Sequence, residues 1–120
     1  LLFNPVYDNG PDGYGHSRVK DRFREISPLH NIRKGMPPAI VFLGTKDKLV
    51  PVKTAHTFRK TMQQVGSRSE LFLYENQPHG FFNRRHSPRH FLATVTEMDR
   101  FLASLGYIQG PPTIQLDTNK

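Results

Sequence analysis

Two apolar runs along this chain lack the alternation expected of a half-solvated strand. Residues 39–43, Ala-Ile-Val-Phe-Leu, are apolar at every position, and residues 71–74, Leu-Phe-Leu-Tyr, repeat the pattern. A short run of this kind, bounded by turn formers, is expected of a strand covered on both faces. Between and after the runs the period changes. Ala55, Phe58, Met62 and Val65 recur at helical spacing, opened by Val50-Pro51 and closed by Gly66. Phe91, Leu92, Val95, Met98, Phe101, Leu102 and Leu105 form a broader stripe, opened by Ser87-Pro88 as cap and first-turn proline and closed by Gly106. The spacing predicts strand, helix, strand, helix over 39–43, 52–65, 71–74 and 88–105. Short loops between such elements mark an α/β fold with a mostly parallel sheet and crossover helices.

The flanks are less regular. Residues 1–6 read as the end of a strand closed by Pro5. The next stretch, 7–20, is dense in Asn, Gly, Pro and Asp and predicts a lid-like loop. A short helical turn is expected around 22–26. Another is expected at Ser27-Pro28, where a serine cap precedes a proline. Residues 109–120 are polar around Pro111-Pro112, a tail or an arm onto a neighbour. The chain opens on Leu1-Leu2-Phe3, which suggests a start inside a fold and an apolar edge in need of cover.

Each buried run leads into a loop with one residue suited to proton transfer. Gly44-Thr45-Lys46-Asp47 follows the first run, and Pro78-His79-Gly80-Phe81 lies just past the second. Ligand chemistry in open α/β sheets gathers beyond the carboxyl ends of strands. An acid followed by a histidine in that order gives two thirds of a Ser-Asp-His triad. The carboxylate fixes the imidazole tautomer and stabilises its positive form, and an unperturbed imidazole, pKa near 6.5, cycles a proton at neutral pH. The pair is expected about 3 Å apart. Two plainer roles compete: Asp47 as an Asx-type turn residue, and His79 as a surface histidine in a Pro-His-Gly turn. No Gly-x-Ser-x-Gly elbow occurs in these 120 residues, and Ser17, Ser27, Ser67, Ser69, Ser87 and Ser104 lack its context. The sequence therefore reads as the acid-and-base half of a hydrolase without its nucleophile.

Composition narrows the alternatives. The chain has no cysteine, which removes disulfides, a thiol nucleophile and thiolate metal sites. His86 and His90, four apart, supply two ligands where catalytic zinc usually takes three, and His16, His30 and His56 have no grouped pattern. Phosphate-loop and dinucleotide fingerprints are missing, so no cofactor and no metal are expected. The net charge is +7, densest at Arg84-Arg85-His86 with Arg89 and His90. The cations are spread along the chain, so a solvated helix entry is favoured over a nucleic-acid surface. No apolar run reaches membrane-spanning length.

The order Ser27-Pro28-Leu29, Pro37-Pro38, 39–43, Gly44-Thr45-Lys46-Asp47, Val50-Pro51 and Pro78-His79-Gly80-Phe81 resembles the C-terminal half of the α/β-hydrolase fold. The similarity is to esterases, lipases and acetyl xylan esterases related to dienelactone hydrolase and prolyl oligopeptidase catalytic domains, and it covers about 1–107. It implies a three-layer sandwich, with a partial hydrolase domain over 1–108 and a tail over 109–120. It also implies Asp47 as triad acid, His79 as triad base, a small-molecule carboxylic ester such as a sugar acetate as substrate, and no metal. The nucleophile and oxyanion loop would precede Leu1. On that reading the chain is inactive alone and pairs with itself or with its missing N-terminal half. Two alternatives stay open: a non-catalytic, self-associating half-domain, and a serine peptidase of the prolyl oligopeptidase type. Neither nucleic acid nor membrane is an expected partner, and nothing in the sequence fixes a compartment.

Overall fold

The computed structural model describes residues 1–115. Its elements run β1 (Leu2–Phe3), α1 (His16–Val19), a 3-10 turn (Lys20–Arg22), α2 (Phe23–Ile26), a second 3-10 turn (Pro28–Asn31), β2 (Ala39–Gly44), α3 (Val52–Gln64), β3 (Ser69–Tyr74) and α4 (Pro88–Ser104). The chain packs as two compact units, Leu1–His79 and Gly80–Lys120.

In the first unit the three strands form one parallel sheet in the order β1-β2-β3. The central strand β2 is buried at every position, as expected of its apolar run, whereas the run 71–74, also expected to be covered, lies on an edge strand and is half-buried, with Leu73 38% exposed. Val41 and Leu43 point into a core with Tyr7, Val50, Ala55, Phe58 and Met62, so α3 covers that face with three of the four residues its spacing singled out. Val65, the fourth, lies just past the helix and is only half-buried. Phe42 stacks on Phe3, with ring centroids 4.8 Å apart, and meets Phe72 at 5.7 Å. Gly66 has φ 78°, a left-handed stop that glycine adopts without a Cβ clash.

β3 starts at Ser69, two residues before the apolar run, because Ser69 and Glu70 pair in register with Ala39 and Ile40. Residues 7–20 are not wholly loop. Tyr7 is buried at 2% exposure and stacks on Phe58 at 4.8 Å, and 16–19 close one helical turn.

The serine caps take a different form from the one expected. Neither Ser27 nor Ser87 bonds a helix amide through its side chain. Each hydroxyl instead meets the Nδ1 of the histidine three residues on: Ser27 with His30 at 2.8 Å, Ser87 with His90 at 2.6 Å. Both segments spell Ser-Pro-x-His. The imidazole competes with the amide of the third helical residue for the hydroxyl, and here it wins.

In the second unit, α4 spans the predicted helix nearly to the residue. Of its seven stripe residues only Phe101 is buried; the others are half-buried, while Thr94 is buried at 1%. A threonine hydroxyl can bond back along its own helix, and Thr94 Oγ1 donates to Phe91 O at 3.0 Å, which removes the polar penalty of burial. His86 precedes the helix rather than sharing a face with His90. Residues 109–115 carry no helix or strand, and the rest of the expected tail lies outside the described residues.

Candidate active site

The loops after β2 and β3 are stitched together before either candidate residue is reached. Thr45 N donates to Tyr74 O at 3.0 Å, Lys46 N to Gln77 O at 2.9 Å, and Asn76 N to Thr45 Oγ1 at 2.7 Å. Asn76 sits at φ 59°, a left-handed turn position that asparagine tolerates. The approach is close enough to exclude any side chain at Gly44. A Cβ there would lie 2.2 Å from Gln77 O and 2.9 Å from Pro78 O. The glycine that ends β2 therefore lets the histidine loop fold across the strand end.

This stitching brings Asp47 and His79 together, 32 residues apart in sequence. Asp47 Oδ2 and His79 Nδ1 are 2.9 Å apart. The Asp47 side chain is wholly buried, whereas that of His79 is 46% exposed. The other carboxylate oxygen, Oδ1, accepts from Leu49 N at 2.8 Å and Val50 N at 3.0 Å. The Asx-turn role and the pairing role are thus both filled, one by each oxygen. Two backbone donors fix the carboxylate, the carboxylate fixes the ring, and the ring presents Nε2 as its remaining nitrogen. An imidazole whose Nδ1–H is held by a carboxylate can accept a proton at Nε2 and return it.

The other histidines of the first unit have partners of their own or lie exposed. His30 lies by Ser27 and 3.9 Å from Asp8, His16 Nδ1 meets Asn9 O at 3.0 Å, and His56 is exposed on α3. Ser27 is fully buried; it accepts from Asn9 N at 3.0 Å and its hydroxyl lies 3.2 Å from Tyr7 O. It serves as a structural node of the 7–31 segment.

Two buried polar residues near the strand ends escaped the sequence reading. Asn4 closes β1 at φ 41° and 5% exposure, with neither amide atom bonded. Tyr7 has a buried hydroxyl that makes no hydrogen bond of acceptable geometry. Burial pushes its phenol far above the ordinary tyrosine range; the adjacent Thr54 hydroxyl pulls it down, and the Asp47 charge adds a further push. The only signal for Tyr7 was an apolar pair, Val6-Tyr7, set between Pro5 and Asp8.

A three-stranded parallel sheet with flanking helices is part of the α/β-hydrolase fold, and solved esterases share it. Thermogutta terrifontis esterase 2, in a form phosphoramylated by tabun, superposes with a TM-score of 0.82 at 35% identity, over 91% of this chain and 42% of that one. Its apo form gives 0.81 at 36%, over 91% and 43%. Residues 14–108 match the dienelactone hydrolase family, and the chain belongs to that family. Among curated relatives, a probable isoprenylcysteine alpha-carbonyl methylesterase of Arabidopsis thaliana is 31% identical over 68 residues, 50% of this chain and 14% of that protein. Esterase LipC of Mycobacterium tuberculosis is 33% identical over 66 residues, 53% and 16% respectively. The chain thus spans less than half of the solved esterases and matches a smaller share of the curated relatives. It carries part of a hydrolase fold of esterase type.

Proposed function

We propose that this chain supplies the acid and the base of a serine hydrolase acting on carboxylic esters, with Asp47 as acid and His79 as base. The observation that carries the reading is the 2.9 Å bond between a buried carboxylate and an accessible imidazole, each beyond the carboxyl end of one of two adjacent parallel strands. In this reading His79 Nε2 removes the proton of a serine supplied from outside these 120 residues. The serine oxygen attacks the ester carbonyl, and His79 returns the proton to the leaving alcohol. Water, deprotonated by the same nitrogen, then releases the acid from the acyl-enzyme. Sugar acetates are the finer substrate proposal. The test is hydrolysis of short-chain aryl esters by a protein that holds both this chain and the serine. His79→Ala is expected to remove at least about 10³-fold of kcat. Unchanged turnover would sink the assignment.

One finding keeps a second hydrolase reading in play. The acylamino-acid-releasing enzyme of Arabidopsis thaliana is 29% identical over 58 residues, 48% of this chain and 8% of that protein. An acyl-peptide substrate uses the same acid and base, so the two readings separate on a panel of esters and N-acyl peptides.

A further inference from the structure

The acid and the base each follow from a tight turn. The turn 44–47 closes with Asp47 N donating to Gly44 O at 3.1 Å, and the turn 74–77 with Gln77 N donating to Tyr74 O at 3.3 Å. The second closure leaves the amide of Asn76, third in the histidine turn, for a partner outside it. That partner lies on the acid turn: Asn76 N donates to Thr45 Oγ1 at 2.7 Å. The other two stitches, Thr45 N to Tyr74 O and Lys46 N to Gln77 O, join backbone groups and are open to almost any sequence. This one needs a hydroxyl at position 45.

The path from that bond to His79 is short and has little freedom. Gln77 is held at its N–H by Tyr74 O and at its C=O by Lys46 N. The Pro78 ring fixes its own φ. What remains to set the imidazole is the pose of Asn76, at a left-handed φ of 59°. An L-residue takes that conformation at a cost, which a bond to its own amide offsets. The hydroxyl that makes this bond stands two residues before the carboxylate that the ring must meet.

We infer that Thr45 is a positioning residue for His79: its hydroxyl clips the histidine turn to the acid turn and so sets the distance across the Asp47–His79 pair. The inference rests on the acid–base reading of that pair. Thr45 acts on the ring through Asn76 and the two residues that follow, with no part in proton transfer. The clip lies at an exposed position, so water can take up the Asn76 amide when the hydroxyl is lost. Its removal is therefore expected to loosen the pair and not the fold.

The test is NMR of this 120-residue chain as wild type, Thr45→Val, Thr45→Ser and Asp47→Asn, with a urea titration of each. The signal is the His79 Nδ1–H, which a carboxylate acceptor moves downfield and protects from exchange with water. Thr45→Val keeps the branched shape and deletes the acceptor. Its Nδ1–H is expected to exchange about fivefold faster than in wild type, the net worth of one hydrogen bond, at a urea midpoint close to wild type. Thr45→Ser restores the acceptor and is expected to restore the slow exchange. Thr45→Ala serves if Thr45→Val does not fold. Unchanged exchange without the hydroxyl overturns the inference, as does a serine variant that exchanges as fast as the valine one. Faster exchange matched by an equal loss of global stability also overturns it, since Thr45 would then support the fold alone. If Asp47→Asn leaves the Nδ1–H signal unmoved, the acid–base pair itself fails and takes this inference with it. A signal that moves in Asp47→Asn but not in Thr45→Val sinks the inference alone.

Discussion

At the scale of single residues, Asp47 divides two tasks between its oxygens, and substitutions separate them. Asp47→Asn keeps an acceptor for the Leu49 and Val50 amides, so the loop is expected to hold. In a complete enzyme kcat should fall by about 10⁴-fold, the order found when a triad acid loses its charge. Asp47→Ala removes the acceptor as well and leaves two amides short of a partner, at about 1–3 kcal/mol. Urea titration of both variants measures the split, and equal stability losses would contradict it. Tyr7 gives a second prediction. Its phenol is raised in the folded chain relative to about 10 in the unfolded one. A raised group stabilises fully below the unfolded pKa and loses that contribution as pH climbs toward the folded value. Stability should therefore decline above about pH 10, and the decline should be shallower in Tyr7→Phe, as thermal melts across that range would register. Asp47 and His79 were legible because each is a polar residue in a turn just past an apolar run. Tyr7 was hidden among turn formers, where nothing local says that the ring faces inward.

At the scale of elements, the run 39–43 and the helical spacing of 52–65 specified β2 and α3, because full burial demands an uninterrupted code. The first two positions of β3 were not legible. Serine and glutamate join the ladder through their backbone alone, and backbone pairing leaves no trace in side-chain pattern. The serine caps were misread for a related reason. A cap rule considers the serine and the helix amides, and the histidine three residues on was not counted as a rival. Phe58, 4% exposed and stacked on Tyr7, is the anchor of α3. Phe58→Ala is expected to cost about 3–5 kcal/mol in chemical denaturation. Gly44→Ala presses a methyl against the Gln77 and Pro78 carbonyls, so the histidine loop must lift. A loss of about 1–3 kcal/mol or more is expected, together with loss of the Asp47–His79 bond. A variant as stable as wild type, with the His79 environment unchanged by NMR, would contradict the close approach.

At the scale of the whole molecule, the fold class was readable, and so was the apolar edge at Leu1-Leu2-Phe3. Among the described residues β1 pairs on one side only, with Leu1 50% and Val6 38% exposed beside it. Unpaired strand edges of this kind attract other strands. Self-association, or association with the remainder of a hydrolase fold, is therefore proposed, and sedimentation at several concentrations tests it. A monomer throughout, with no partner added, would refute the self-association half. A companion expectation concerns turnover. The 120-residue chain alone should hydrolyse short-chain esters no faster than buffer, since its serines lack a strained elbow. Turnover lost in His79→Ala and covalent labelling of one of its own serines would count against that.

The ladder between β2 and β3 ends at the pair Gly44 and Tyr74. From that last rung the acid stands three residues on and the histidine five. One residue of strand spans about 3.3 Å, far more than the slack in a hydrogen bond. The two sheet ends thus act as a ruler with a common zero. Insertions within α3 or in the turn that follows it leave the zero unmoved, whereas a single residue gained or lost between 44 and 47, or between 74 and 79, misaligns the pair. In chains too diverged for residue identities to align, those two counts, three and five from the last paired rung, offer a criterion for finding the same acid and base.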